Sequence, residues 1–157
     1  MEPLSVLDIF KIGVGPSSSH TLGPWRAAGR FLDDARERGV LERITRLAVD
    51  LFGSLAKTGR GHGTDLAILM GLSGWDSVTC DTAAIDPEGA AIRARKQLSL
   101  LGRRTIAFDP ATDIRFRTDT TLPFHPNGMT FHATLDDGSE FAATYYSIGG
   151  GFVVREG

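Results

Sequence analysis

The chain has 157 residues, 41% of them apolar and 23% charged, enough for one self-supporting domain and too apolar for intrinsic disorder. With 17 Lys and Arg against 19 Asp and Glu the net charge is −2, so no basic excess exists for nucleic acid or an anionic membrane. No apolar run approaches the ~18 residues needed to cross a bilayer, and Met1-Glu2-Pro3 is not the basic start of a signal peptide, which predicts a cytoplasmic protein. Cys80 is the one cysteine. It cannot form an internal disulfide, nor hold by itself a zinc ion or an iron-sulfur cluster, each of which takes about four ligands.

Trp25, Ala28, Phe31, Leu32 and Ala35 recur at three- and four-residue spacing, predicting a helix from about Thr21 to Arg38 with Ser18 or Ser19 as N-cap and Gly39 as the stop. Leu47, Val49 and Leu51 then alternate with polar neighbours as in a strand with one buried face, ended by Gly53. A glycine-rich loop from Thr58 to Gly63 leads to Thr64 as cap of a short apolar helix running through Met70. Asp86-Pro87 starts another helix, whose stripe Ala91, Ala94, Leu98 and Leu101 carries it to Gly102. Strands are expected at Thr105 to Phe108 and Ile114 to Phe116, and Asp137-Gly138 reads as the turn of a hairpin between Met129–Leu135 and Glu140–Ser147. His132 falls opposite the apolar face of that hairpin and reads as solvated. The sum is a single α+β domain over 1–157, with helices packed on a mostly antiparallel sheet. Gly149-Gly150-Gly151 reads as a flexible tail.

Three polar clusters stand out against this frame. Gly13 to Thr21 carries Ser17, Ser18, Ser19, His20 and Thr21 at a helix start, where free N–H groups and the helix dipole suit a carboxylate or phosphate. Gly53 to Asp65 holds His62 between Gly61 and Gly63, followed by Thr64 and Asp65. An imidazole flanked by glycines allows close approach by a substrate and suits proton transfer near pH 7. The same stretch lacks the G-x-x-x-x-G-K-[ST] order of a phosphate loop, and its cations Lys57 and Arg60 have no assigned role. In the third, Pro126 and Asn127-Gly128 hold His125 and Asn127 in a stiff bend. Each cluster also has a plainer reading, as a capping loop or a turn.

As a set, these stretches resemble the beta domain of the bacterial iron-sulfur L-serine dehydratases (L-serine deaminases). The resemblance is carried by Ser5–Gly13 running into Gly15-Pro16-Ser17-Ser18-Ser19-His20-Thr21, by Gly53-Ser54-Leu55-Ala56 with Gly61-His62-Gly63-Thr64-Asp65, by Phe108-Asp109-Pro110, by His125-Pro126-Asn127, and by Tyr145–Gly151. It implies a lyase of amino-acid catabolism that deaminates L-serine to pyruvate and ammonia at a four-iron four-sulfur (4Fe-4S) cluster, feeding gluconeogenesis. The cluster would be held by cysteines of a separate helical alpha domain, with no cofactor in this chain and Gly149–Gly157 beginning the linker to that domain. The resemblance also implies roles: His62 as general base; Ser17, Ser18, Ser19, His20 and Thr21 as the carboxylate site; and Gly61, Thr64, Asp65, His125 and Asn127 lining the substrate. A homodimer is expected.

The same fold resembles the allosteric substrate-binding domain of D-3-phosphoglycerate dehydrogenases. The alternative functions are therefore a non-catalytic anion-binding regulator or a structural dimerisation domain.

Overall fold

The computed structural model describes residues 19–59 and 63–156. Ser17, Ser18, Gly61 and His62 lie outside the described residues, as does Arg60.

Helix α1 (Leu22–Glu37) forms where the apolar stripe predicts it, and Trp25, Ala28, Phe31, Leu32 and Ala35 are at most 2% exposed. It ends as Gly39 turns to φ +73° and the N–H of Val40 reaches back to the carbonyl of Ala35 at 2.9 Å. The N-cap is Thr21, whose side chain makes no capping bond. Ser19 is not the cap; its hydroxyl turns to the His20 ring instead. After a short 3-10 turn come β1 (Ile44–Phe52), α2 (Gly53–Gly59) and α3 (Thr64–Leu72). A second such turn precedes α4 (Ile85–Arg95), β2 (Gln97–Leu100), β3 (Arg104–Ala107), α5 (Pro110–Asp113) and β4 (Ile114–Arg117). The chain ends in β5 (Gly128–Leu135), β6 (Glu140–Gly149) and β7 (Phe152–Arg155).

The main sheet has the order β4-β1-β5-β6-β7, with β1 and β4 parallel and the other neighbours antiparallel. The class is α+β as expected, with a mixed five-stranded sheet and β2–β3 as a separate small antiparallel pair. Alternation sends Leu47, Val49 and Leu51 of β1, Phe131 and Ala133 of β5, and Ala143 and Tyr145 of β6 into one core. Phe31 of α1 stacks between Phe131 and Phe141, both at 5.2 Å between ring centroids, and Tyr145 meets Phe131 edge-on. The Tyr145 hydroxyl donates to Asp34 of α1 at 3.0 Å, tying helix to sheet.

Four expectations differ from the structure. The helix from Asp86 stops at Arg95, where Lys96 takes the left-handed conformation (φ 53°), and Leu98 and Leu100 belong to strand β2. Leu98 and Leu101 satisfy helical spacing, yet a short apolar run also fits a strand, and pairing with β3 decides it. Residues 53–59, expected as strand end and loop, form α2, and Gly63 at φ 91°, not Thr64, is the N-cap of α3. Gly149, Gly150 and Gly151 all have positive φ and make a tight turn into β7, which pairs with β6. His132 is not simply solvated. Its ring nitrogens meet Glu140 at 2.7 Å and Asp50 at 3.0 Å, on the sheet face away from α1.

Among the described residues no helix is long and apolar enough to cross a membrane.

Candidate functional site

The starts of α1 and α2 and the 125–127 bend meet at one end of the sheet. Alternation along β1 delivers the chain to Gly53, which turns at φ +53°. A side chain there would run into the carbonyl oxygen of Pro126, so only glycine fits both the backbone angle and the space. This close approach lets the backbone N–H of Ser54 donate to Pro126 O at 2.9 Å, while Gly53 N–H donates to Thr120 O at 2.7 Å. The bend is thereby bonded to the first turn of α2.

His20 lies between two hydroxyls. Ser19 Oγ is 3.0 Å from Nδ1, and Ser54 Oγ, 34 residues away in sequence, is 3.0 Å from Nε2. In neutral imidazole one nitrogen donates and the other accepts, and each hydroxyl can do either, so both contacts are satisfied in either tautomer. The buried Thr64 hydroxyl donates to the carbonyl of His20, linking the start of α3 to the residue that precedes α1. Thr21 is fully buried beside them.

Asn127 is 9% exposed and uses nearly every polar group it has. Its carbonyl accepts from Ser147 N–H at 3.0 Å, its side-chain Nδ2 donates to Ser147 O at 3.2 Å, and its own N–H donates to His125 Nδ1 at 3.0 Å. Two buried atoms are left over: among the described residues, Asn127 Oδ1 and Ser147 Oγ have no hydrogen-bond partner. Leaving a buried polar atom without a partner costs of order 1–3 kcal/mol, so each of these two atoms is suited to a hydrogen bond with a water or a bound molecule.

The structure thus gathers Ser19, His20, Thr21, Thr64, His125 and Asn127 around bonds running through Ser54 and Pro126. Asp65 is engaged elsewhere: its carboxylate takes Arg93 of α4 at 2.7 Å and the N–H of Leu66 at 2.9 Å. The general base expected from the sequence, His62, lies outside the described residues. Ser54 and Ser147 carry this arrangement without having been singled out for it. Their signal was present only as positions inside the glycine-rich stretches.

A second polar centre escaped the sequence altogether. Asp50 of β1 receives Arg115 through Nε at 2.7 Å and Nη2 at 2.9 Å, Arg117 Nε at 3.0 Å, and the His132 ring. Burial pushes its carboxyl up, but the Arg115 and Arg117 guanidinium groups outweigh this and hold it below the usual carboxylate range. A groove of roughly 600 Å³ runs along the outer side of α1 between Arg26, Arg30, Trp75 and Arg103. None of the expected site residues lines it.

Among the described residues no group of three or more His, Cys, Asp and Glu side chains is placed to hold a metal ion. Burial pushes the Cys80 thiol up, with Asp76 adding to the shift, which disfavours the thiolate that binds iron. A cluster takes about four such ligands, so the residues described here do not make a site for one.

Fold and site together define an α+β domain that presents a hydroxyl- and imidazole-rich site at converging helix starts. Residues 5–157 match the family model described as serine dehydratase beta chain, and the chain belongs to that family. It is 47% identical over 154 residues to "L-serine dehydratase 1" of Escherichia coli, covering 98% of this chain and 34% of that protein. It is 46% identical to "L-serine dehydratase" of Streptomyces coelicolor with the same coverage, and 40% identical over 160 residues to that of Helicobacter pylori, covering 99% of this chain and 34% of the relative. The chain therefore spans about a third of the length of the curated relatives it matches.

Proposed function

We propose that this chain is the substrate-holding part of an L-serine dehydratase, a lyase that releases pyruvate and ammonia from L-serine. The observation that carries the reading is the His20–Ser54 contact at 3.0 Å together with the Ser54–Pro126 bond at 2.9 Å. These draw three sequence-distant clusters, each suspected on its own residues, to one place, in a chain whose relatives bear that name.

Elimination of water from serine needs an anchor for the carboxylate, a base for the α-proton and assistance to the departing β-hydroxyl. Under this proposal the start of α1, with Ser17, Ser18, Ser19, His20 and Thr21, anchors the carboxylate through hydroxyl and N–H donors. His62 takes the α-proton. His125 and Asn127 line the substrate, and Asn127 Oδ1, which has no partner among the described residues, is an acceptor suited to the α-ammonium. The third requirement is not assigned to this chain. The iron-sulfur cluster implied by the family resemblance would be held by an alpha domain outside these residues, in the cytoplasm, with the whole enzyme a homodimer.

The test compares the purified chain with an intact dehydratase containing it, reading pyruvate, iron and sulfide. The intact enzyme is expected to turn over serine, whereas the chain alone should show neither turnover nor stoichiometric iron. Titrating the chain with serine, phosphate and citrate while following the imidazole signals separates this reading from an anion-binding regulator of the D-3-phosphoglycerate dehydrogenase kind. A response to phosphate and citrate alone, with an inactive intact protein, would overturn it.

A further inference from the structure

The bend that carries His125 also determines which of its nitrogens holds the proton. The N–H of Asn127 donates to His125 Nδ1 at 3.0 Å. That N–H cannot swing away, because Asn127 is bonded to Ser147 on both its carbonyl and its side chain, and the carbonyl of Pro126 is taken by Ser54. A nitrogen that accepts a hydrogen bond carries no proton of its own, so neutral His125 must carry its proton on Nε2. The ring is half-buried, and Nε2 makes no hydrogen bond with the described residues.

We infer that His125 is a fixed hydrogen-bond donor, offering Nε2–H to an anionic oxygen of the bound amino acid, and that it is not the base of the reaction. The ligand role rests on the function proposed above; the tautomer does not. The only ring lone pair available for a proton is the one on Nδ1, and Asn127 N–H occupies it. Taking up a substrate proton would set two N–H groups against each other and break the bend's bond to the ring. The group that matches a neutral N–H donor is a carboxylate, which accepts charge-assisted hydrogen bonds without any proton changing hands.

Two measurements test this. In the chain with ¹⁵N-labelled histidine, long-range proton–nitrogen correlation at neutral pH, assigned by comparison with His125→Gln, should show a protonated Nε2 and an unprotonated, accepting Nδ1 at His125. A protonated Nδ1, or an even mixture of tautomers, overturns the assignment. This spectrum needs no substrate. In the intact dehydratase, His125→Ala should raise KM for serine roughly ten- to hundredfold, the loss of one hydrogen bond to a charged group, and change kcat far less. His125→Gln, which keeps an N–H near the former Nε2, should recover most of that loss. Both variants should keep the acid limb of the kcat pH profile. Disappearance of that limb in the His125→Gln enzyme would make His125 the base and sink the inference. If the unaltered intact enzyme produced no pyruvate while the His125 spectrum read as expected, the serine assignment would fail and the donor tautomer would stand.

Discussion

Ser147 fills the space that a side chain at position 23 would need. A Cβ on Gly23 would overlap the Ser147 hydroxyl and press on its Cβ, so the first turn of α1 rests directly on β6. The backbone of the same Ser147 makes two hydrogen bonds with Asn127, its N–H donating to the Asn127 carbonyl and its own carbonyl accepting from the Asn127 side-chain Nδ2. One residue therefore sets both the height of the helix start and the position of the 125–127 bend.

Gly23→Ala should destabilise the chain by about 1–3 kcal/mol, the usual cost of overpacking, despite the better helix propensity of alanine. Ser147→Gly removes the opposing atoms, and the double variant should regain much of the loss. Urea unfolding of the four proteins of the cycle measures the coupling. Additive effects would mean that the two residues do not share this space.

Phe31 lies between two rings, so Phe31→Ala should cost about 3–5 kcal/mol. Chemical denaturation with an unchanged m-value is the expected signature. A loss below about 1 kcal/mol would show that the stacked centre contributes little.

The Asp50 centre predicts an acid-dependent stability. Its carboxyl is held low in the folded chain, so its stabilisation is complete above the unfolded value near pH ~4 and is lost as pH falls through the lower folded value. Unfolding free energy measured from about pH 6 downward should fall less steeply in Asp50→Asn than in the unaltered chain, and that variant should already be weaker at pH 6. Parallel curves would remove Asp50 from the account.

At the alkaline end, the chain has two tyrosines, and both are buried. Burial, followed by the hydroxyl bond to Glu156 at 2.6 Å, pushes Tyr146 up to about 12. Burial and Asp34 push Tyr145 higher still. The folded chain should therefore develop no phenolate absorbance at pH ~10, where exposed tyrosine is half ionised, and denaturant should release it. Because the folded pKa values are raised, stability should decline from about pH 10 upward as the unfolded state ionises first.

If the chain acts as proposed, with His62 as general base, His62→Ala in the intact dehydratase should lower kcat by ~10²–10⁴-fold, the usual cost of removing such a base, with a smaller change in KM. Ser18→Ala and His20→Ala should chiefly raise KM. Iron content serves as the control, since under the proposed function a variant that failed to assemble the iron-sulfur cluster implied by the resemblance would be inactive for another reason. Near-normal kcat in iron-replete His62→Ala would assign the base elsewhere.

Much of this architecture is legible from local pattern. The stripe of α1, the alternation in β1, β5 and β6, and the Asp137-Gly138 turn all rest on a period or a turn preference that neighbouring residues express by themselves. The polar clusters at His20 and His125 are visible in the same way, because glycine, proline and serine at short spacing mark unusual backbone. The pairings between distant segments have no such local signal: Leu98 joins a strand because β3 is there to receive it, and Asp50 meets Arg115 because β1 and β4 run parallel across a connection of about 60 residues. The roles of Ser54 and Ser147 belong to this second kind. A serine carries no periodicity and little preference of its own, so its importance arises from what the fold brings opposite it: the His20 ring in one case and the bare backbone of Gly23 in the other.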